Sequence, residues 1–538
     1  MSVLGKMPSN MEHKFSEVPH VGVQRSAFQR NHGYKTTMDA GDLNVIFWDS
    51  VYPGDTHTLD ASIFARMSTP IVPLMDNLYM DVHYFFCPNR LIWDNWEKFM
   101  GARTEDPSDS IDYNIPTLDI STAAVGSLPD QFGLPVETTN AGCDVNALYF
   151  RAYNLIYREW YRDGNLIDSP TVQTDDGPDT LANYTVRKRG KRHDYFTSAL
   201  PWPQRGDAVT LPLGTTAPVT GIGPSSQTTT AGPVNAYETG GTGATSFGNH
   251  WSSGTTSYLI EEDPSNTGFP NIYADLSNAT AATINSIREA FQIQKLLEKD
   301  ARGGSARYVE LIKSHFNVTS PDYRMQRPEF LGGGTININI NQIAQTSSTD
   351  ATTPQGNVSG YATAQNFNRI GFNQSFTEHG VILGICSIRS DLNYQQGIEK
   401  DFLRSTRYDY YWPSFAHLGE EPIENQELYY TDEASGTAST TNTGTFGYQE
   451  VYADLRYKKS IISGKMRSGV TGTVDIWHAA QEFGSLPTLN QTFIEEAPPM
   501  SRILAVTSEP EFYFDSYNRY RSVRPMPVFS VPGFVDHF

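Results

Sequence analysis

Cysteine is scarce, with three residues in a chain of 538. Cys87, Cys143 and Cys386 are far apart and odd in number, which excludes a CxxC unit and a disulfide framework and points to maturation in a reducing compartment. Long apolar runs are missing as well. The longest, Val381 to Ile388, falls far short of the roughly 20 residues that cross a bilayer, so no membrane insertion is expected. The first thirty residues hold no signal-peptide core, because Lys6, Glu12, His13, Lys14, Glu17 and Arg25 interrupt the apolar positions. Positive charge is in deficit: 40 Lys and Arg face 60 Asp and Glu, a formal net charge of −20. Phosphate binding is dominated by cation contacts, so a bulk nucleic-acid condenser is excluded and any DNA contact must be local.

The usual catalytic signatures are absent. Gly5-Lys6-Met7, Gly190-Lys191-Arg192 and Gly464-Lys465-Met466 all lack the Ser or Thr that a phosphate-cradling loop places after Gly-Lys. No HExxH, GxSxG or GxGxxG occurs, so zinc-protease, hydrolase and dinucleotide readings lose their support. Two carboxylate pairs, Glu420-Glu421 and Glu495-Glu496, could in principle serve a glycosidase. Neighbours on a strand point to opposite faces, however, and solvated loop charge is the simpler account. His379, beside Glu378, has no second His or Cys at metal-ligand spacing and reads as structural.

What the chain has is aromatic residues, 12% of the total, with 43 Gly and 32 Pro, a mixture that folds and favours many turns between short strands. Leu43 to Trp48, Leu78 to Phe86, Thr335 to Ile340, Val381 to Ile388, Val470 to Trp477, Ile503 to Thr507 and Phe512 to Phe514 read as strands. Amphipathic helices are expected at Trp93, Trp96 and Met100, at Val145, Leu148, Ala152, Leu155 and Ile156, and from about Ser277 to before Gly303, with a short one over Arg307 to Phe316. No internal repeat is found. The fold class is therefore mainly β, one antiparallel β-sandwich elaborated by long, partly helical insertions between strands. The expected division is an extended arm over 1–42, strands with helical insertions over 43–203, a Gly/Ser/Thr-rich insertion over 204–270, a helical insertion over 271–334, strands over 335–515 and an extended tail over 516–538.

Two basic runs stand out. Arg187, Lys188, Arg189, Lys191 and Arg192 put five cations within a short stretch, flanked by Tyr184 and Tyr195, a composition that grips single-stranded nucleic acid without sequence preference. A loop that binds a carboxylate-rich neighbouring subunit is the competing reading. Arg519, Arg521 and Arg524, with Tyr517 and Tyr520, repeat the pattern more sparsely, and there an inter-chain tail is the stronger reading.

Longer segments carry a resemblance. TPIVPLMDNLYMDVHYFFCPNRLIWDNWEKFMG from Thr69, RKRGKRHDYFTSALPWPQ from Arg187, ADLSNATAATINSIREAFQIQKLLEKDARGG from Ala274, YVELIKSHFNVTSPDYRMQRPEFLGGG from Tyr308, and SFTEHGVILGICSIRSDLNYQQGIEKDFLRSTRYDYYWPSFAHLGEEPI from Ser375 resemble the major capsid proteins of microviruses, the small single-stranded DNA phages, and of their gokushovirus branch. The resemblance implies an eight-stranded jelly-roll subunit without enzymatic activity or cofactor, sixty copies of which build a T=1 shell around circular single-stranded DNA. It also implies assembly in the host cytoplasm and a small basic DNA-binding protein as a partner in the virion. The 204–270 insertion falls where such proteins carry a threefold protrusion, which makes His250, Trp251 and Tyr258 candidates for contact with a host surface receptor. A structural divalent cation at subunit interfaces is possible in such shells but is not assignable from the residues. A phage surface protein that binds or cleaves carbohydrate is the alternative from another class.

Overall fold

The computed structural model describes residues 23–207 and 284–529, apart from short gaps at 104–105, 107, 109, 138–142, 303–306, 351–353, 367 and 432–440, with a few short pieces between 208 and 283. Ten strands form the main sheet: β1 (Ser26–Gln29), β2 (His32–Met38), β3 (Asn44–Val51), β4 (Thr56–Met67), β5 (Leu78–Pro88), β6 (Glu329–Ala344), β7 (Val358–Gln365), β8 (Ile370–Ser375), β9 (Gly380–Ser390) and β10 (Phe512–Arg524). Eight of them run in the order β1-β10-β4-β7-β6-β5-β9-β3, while β8 joins β4 and β2 joins β10. Every pairing is antiparallel, and most neighbours are remote in sequence.

Alternation explains the curl. In β4 the residues His57, Leu59, Ala61, Ile63, Ala65 and Met67 are buried while Ser62, Phe64 and Arg66 face outward. β10 repeats this with Phe512, Phe514, Asn518 and Tyr520 inside. The long β6 carries the fold from one layer to the other, pairing with β5 up to Ile338 and with β7 from Ile338 onward. Its Gly333 is required by close approach, since a Cβ there would lie 2.2 Å from the Val82 carbonyl. The two layers close on one core, where Phe47 of β3 meets Tyr520 of β10 at 5.1 Å between ring centres and Tyr84 of β5 meets Phe372 of β8 at 5.6 Å.

β9 is buried along its whole length because both faces are covered. Its second face, with those of β3 and β5, packs under helix α1 (Leu148–Ile156) and the surrounding insertion, where Val45, Phe85, Leu383, Phe150 and Tyr153 form a second core. A third, smaller core gathers Phe196, Ile423, Phe446 and Phe493.

Residues 204–302 form a separate compact unit that contains helix α2 (Ile284–Arg302) and short paired strands such as Val219–Thr220 with Tyr273–Ala274. Helix α3 (Tyr308–Phe316) belongs to the larger unit and ends at Asn317 in the left-handed conformation.

Several expectations are corrected. The arm over 1–42 is sheet from Ser26, and the tail over 516–538 begins inside β10, whose alternation continues through Ser522. Val470 to Trp477 is turns with one 3-10 turn at Asp475–Trp477, and Ile503 to Thr507 is turns with a single bridge from Leu504 to Pro70. Val145 lies in a short strand and not in α1, and the Trp93, Trp96 and Met100 spacing yields one helical turn at Trp96–Phe99 with Trp93 buried before it.

Candidate interaction surfaces

The run from Arg187 to Arg192 is a strap laid across the sheet. It makes isolated bridges to Asp42 through Lys188 and to Glu495 through Gly190. Its cations point at partners within the chain. Lys188 Nζ lies 2.9 Å from Asp42, and Arg189 donates to Asp81 at 2.6 Å and to Ser387 Oγ at 2.9 Å. Arg187 sits over the Tyr157 ring. Lys191 is buried, donates to the Phe493 carbonyl and to Gln481, and covers the Phe493 ring. Burial pulls its ammonium down to about 8 against the pull of Glu496 and Asp194. Of the five cations only Arg192 is exposed. Four of the five cations are therefore clamped within the chain, because Arg187, Lys188, Arg189 and Lys191 each meet a carboxylate or carbonyl.

Asp81 is the hub of this clamp. Burial pushes its carboxyl up, but the Thr335 hydroxyl, Arg189 and Arg389 together hold it at about 2. Beside the strap, Glu511 accepts from the Ala40 amide at 2.7 Å, and its own amide donates to Asp39. Burial, with Asp39 and Asp42 adding to it, pushes the Glu511 carboxyl up to about 7 against the pull of that amide and of Lys188.

The second basic run splits by strand alternation. Arg524 folds back onto Asp55 at 3.0 Å and covers the Tyr52 ring. Arg519 and Arg521 face outward from β10 with Tyr513 and Tyr517, beside Phe64 and Arg66 of β4. Arg519 has Asp60 at 3.8 Å as its cross-strand neighbour. An open groove of about 1020 Å³ adjoins this face, lined among others by Lys35, Phe64, Arg66 and Tyr513.

The inward side of the same strand holds a grouping with the distances of a hydrolase triad: His57 Nδ1 lies 3.0 Å from Ser522 Oγ and His57 Nε2 3.2 Å from Asp55. Ser522 and His57 have no exposed surface, and the Tyr520 hydroxyl also meets Nδ1 at 2.8 Å. A substrate cannot reach that serine, and the group works as a buried staple. Its burial pushes the His57 imidazole down.

The acidic pairs are taken up locally. Glu421 binds Lys400 at 2.6 Å, and Glu496 is buried and accepts from the Ser390 amide. Glu378 pairs with Arg90, and His379 packs edge-on against Tyr52 and Trp96. Cys87 and Cys386 are buried with their thiols pushed up by desolvation, and all three cysteines are free. Among the described residues no three His, Cys, Asp or Glu come together as a metal site, and no helix is long and apolar enough to cross a membrane. His250, Trp251 and Tyr258 lie outside the described residues.

Composition gave no warning of two exposed apolar surfaces in the larger unit, one between Glu399 and Glu421 and one along α3 and the loop after it. Their aromatics read as core in a sequence. For the first surface the available signal was aromatic crowding in a stretch that lacks strand or helix periodicity, while for the second the helix expected over Arg307 to Phe316 did not tell what its apolar side chains meet.

The family described as capsid protein (F protein) matches residues 16–534. The chain is 46% identical over 545 aligned positions to capsid protein VP1 of Bdellovibrio phage phiMH2K, with 98% of each chain covered. It is 40% identical to capsid protein VP1 of Chlamydia phage 1, again covering 98% of each, and 34% identical to that of Spiroplasma virus 4, covering 97% of each.

Proposed function

Because this chain belongs to the capsid protein (F protein) family, a structural component of phage virions, we propose that it closes into a T=1 shell of sixty copies around a circular single-stranded DNA genome. The observation that carries the reading is the pairing of a family match over nearly the whole chain with a rigid sandwich whose long insertions expose several unlike surfaces. A closed shell needs each subunit to offer different, non-self-complementary contacts, and loops on a fixed scaffold supply them without disturbing the core.

The outward face of β10 and β4 is the genome-facing candidate. Arg519 and Arg521 follow Tyr513 and Tyr517 along the same outward face, and cations beside aromatic rings hold single strands by backbone contact and stacking. With a net charge of −20 the shell relies on such local patches and on a small basic protein to offset the remaining phosphate charge. The 204–270 insertion is proposed as the surface protrusion that meets the host receptor. The subunit's work is binding and enclosure and not catalysis, which fits a triad-like group sealed in the core. Electron microscopy of purified full-length protein tests the reading: uniform closed particles are expected, and a folded chain that stays monomeric under all assembly conditions overturns it.

A further inference from the structure

Between Glu399 and Glu421 the chain forms an exposed aromatic surface built from Phe402, Tyr408, Tyr410, Tyr411, Trp412 and Leu418. Phe402 is 83% exposed and Tyr408 57%. The three tyrosines and Trp412 are held in place. Thr406 and Asp409 form a reciprocal cap on one turn, Arg404 ties the loop to Asp454, Trp412 Nε1 donates to the Arg407 carbonyl at 2.7 Å, and Tyr411 packs edge-on against Tyr452 at 5.1 Å. Fixed aromatics facing water are what a preorganised contact surface presents, since little ordering entropy is left to lose on binding.

The charge around this surface selects the kind of partner. From Glu399 to Glu421 there are five carboxylates, Glu399, Asp401, Asp409, Glu420 and Glu421, against three cations, Lys400, Arg404 and Arg407. An acidic surface repels a phosphate backbone, so DNA is disfavoured and a protein is favoured. The same chain carries an apolar surface of the opposite sign. Tyr308 and Phe316 of α3 are 69% and 72% exposed, Val318 and Tyr323 are exposed beside them, and four cations, Arg307, Lys313, Arg324 and Arg327, stand against Glu310 and Asp322 from Arg307 to Arg327. That segment is anchored elsewhere, with Arg307 donating to the Arg158 and Arg162 carbonyls and Arg327 lying over Trp160 at 4.3 Å.

We infer that the acidic aromatic surface of one copy docks on the basic α3 surface of the next, a heterologous contact between two copies of this chain. The inference rests on the capsid reading and names one of its contacts. Opposite charge fixes which surface meets which and discourages each from pairing with itself, and the aromatic residues supply the burial.

The test uses two full-length variants at strongly exposed positions: Phe402→Ser with Leu418→Ser disables the first surface, and Tyr308→Ser with Phe316→Ser disables the second. Both are expected to stay folded, with melting temperatures near that of the wild type. Either one alone is expected to give about tenfold fewer closed particles or less, as for truncated aromatic hot spots. Mixed together, each still owns the surface the other lacks, so a mixed complex forms, visible by native mass spectrometry with one variant isotopically heavy. Wild-type particles from either variant alone, or no mixed complex, would overturn the contact while leaving the capsid reading intact. Normal particle numbers with less packaged DNA would reassign the surface to nucleic acid and overturn it too. Failure of the wild type to assemble would bring down both readings.

Discussion

Glu511 shows how a single buried carboxyl sets a pH dependence. Its folded pKa, near 7, lies above the model-peptide value of 4.5, so the folded chain holds a proton that the unfolded chain has released. The stability this contributes is fully present below about pH 4.5 and is lost as the pH rises through 7. His57 acts in the opposite sense, because its pKa is depressed by burial: stability is lost as the pH falls below its unfolded value, about 6.5. Glu511→Gln keeps an acceptor for the Ala40 amide and removes the charge. The variant is expected to melt higher than the wild type at pH 8 and no higher at pH 4.5, with a flatter profile between; thermal scans across that range check this, and equal melting temperatures at pH 8 would contradict it.

At the scale of elements, the strap from Arg187 to Arg192 joins Asp42, just before β3, together with β5 and β9 to the chain around Glu495. Replacing Arg187, Arg189 and Lys191 together with Ala leaves Asp81 short of one cation and Gln481 and the Phe493 carbonyl without their Lys191 donor. An unpaired buried group of this kind costs about 1–3 kcal/mol each. The triple variant is expected to lose soluble folded protein, whereas Arg192→Ala alone changes neither yield nor melting temperature; a soluble triple variant that assembles but packages less DNA would restore the strap as a nucleic-acid site. This element also marks how far the sequence could be read. β4's THTLDASIFARM alternates as cleanly as any strand, yet His57 and the small Ala61 and Ala65 weaken its inward face as a sequence signal, and that face becomes core only in the sheet formed with β10. β9 was legible because both its faces are apolar. In the strap, composition identifies the cations but not their partners, since Asp42 and Asp81 are brought to it from more than a hundred residues away. Arg519 and Arg521 were legible as residue types, while their separation from Arg524 depended on the strand continuing past Phe514 into what reads as an extended tail.

At the scale of the molecule, two surfaces can be separated from the fold itself. Arg519→Ala with Arg521→Ala touches only outward positions, and an exposed pair such as Arg519 with Asp60 is worth little, about 0–1 kcal/mol. Particles of this variant are expected to form normally and to carry less DNA, read from the ratio of absorbance at 260 and 280 nm; unchanged DNA content would place the genome contact elsewhere. The insertion is a second independent part. Residues 204–302 cluster apart from the rest of the chain, and each doubling of a loop's length costs only about 0.6 kcal/mol in closure. Deleting Ala217 to Gly254 is therefore expected to leave the melting temperature of the larger unit within a few degrees and to abolish adsorption to the host; insoluble protein would show that the insertion supports the fold.

Among the described residues, the last strand in chain order is not at the margin of the sheet. β10 lies between the first two strands and β4, so β4 waits for its neighbour while roughly 440 further residues are translated, about 20–90 s at ordinary ribosomal speeds. A nascent chain cannot finish its sandwich and so cannot present a completed subunit to others still on the ribosome. Translation itself thus acts as a clock: the completed subunit exists only after β10 is made, and until then one edge of β4 stays open to pairing with other chains.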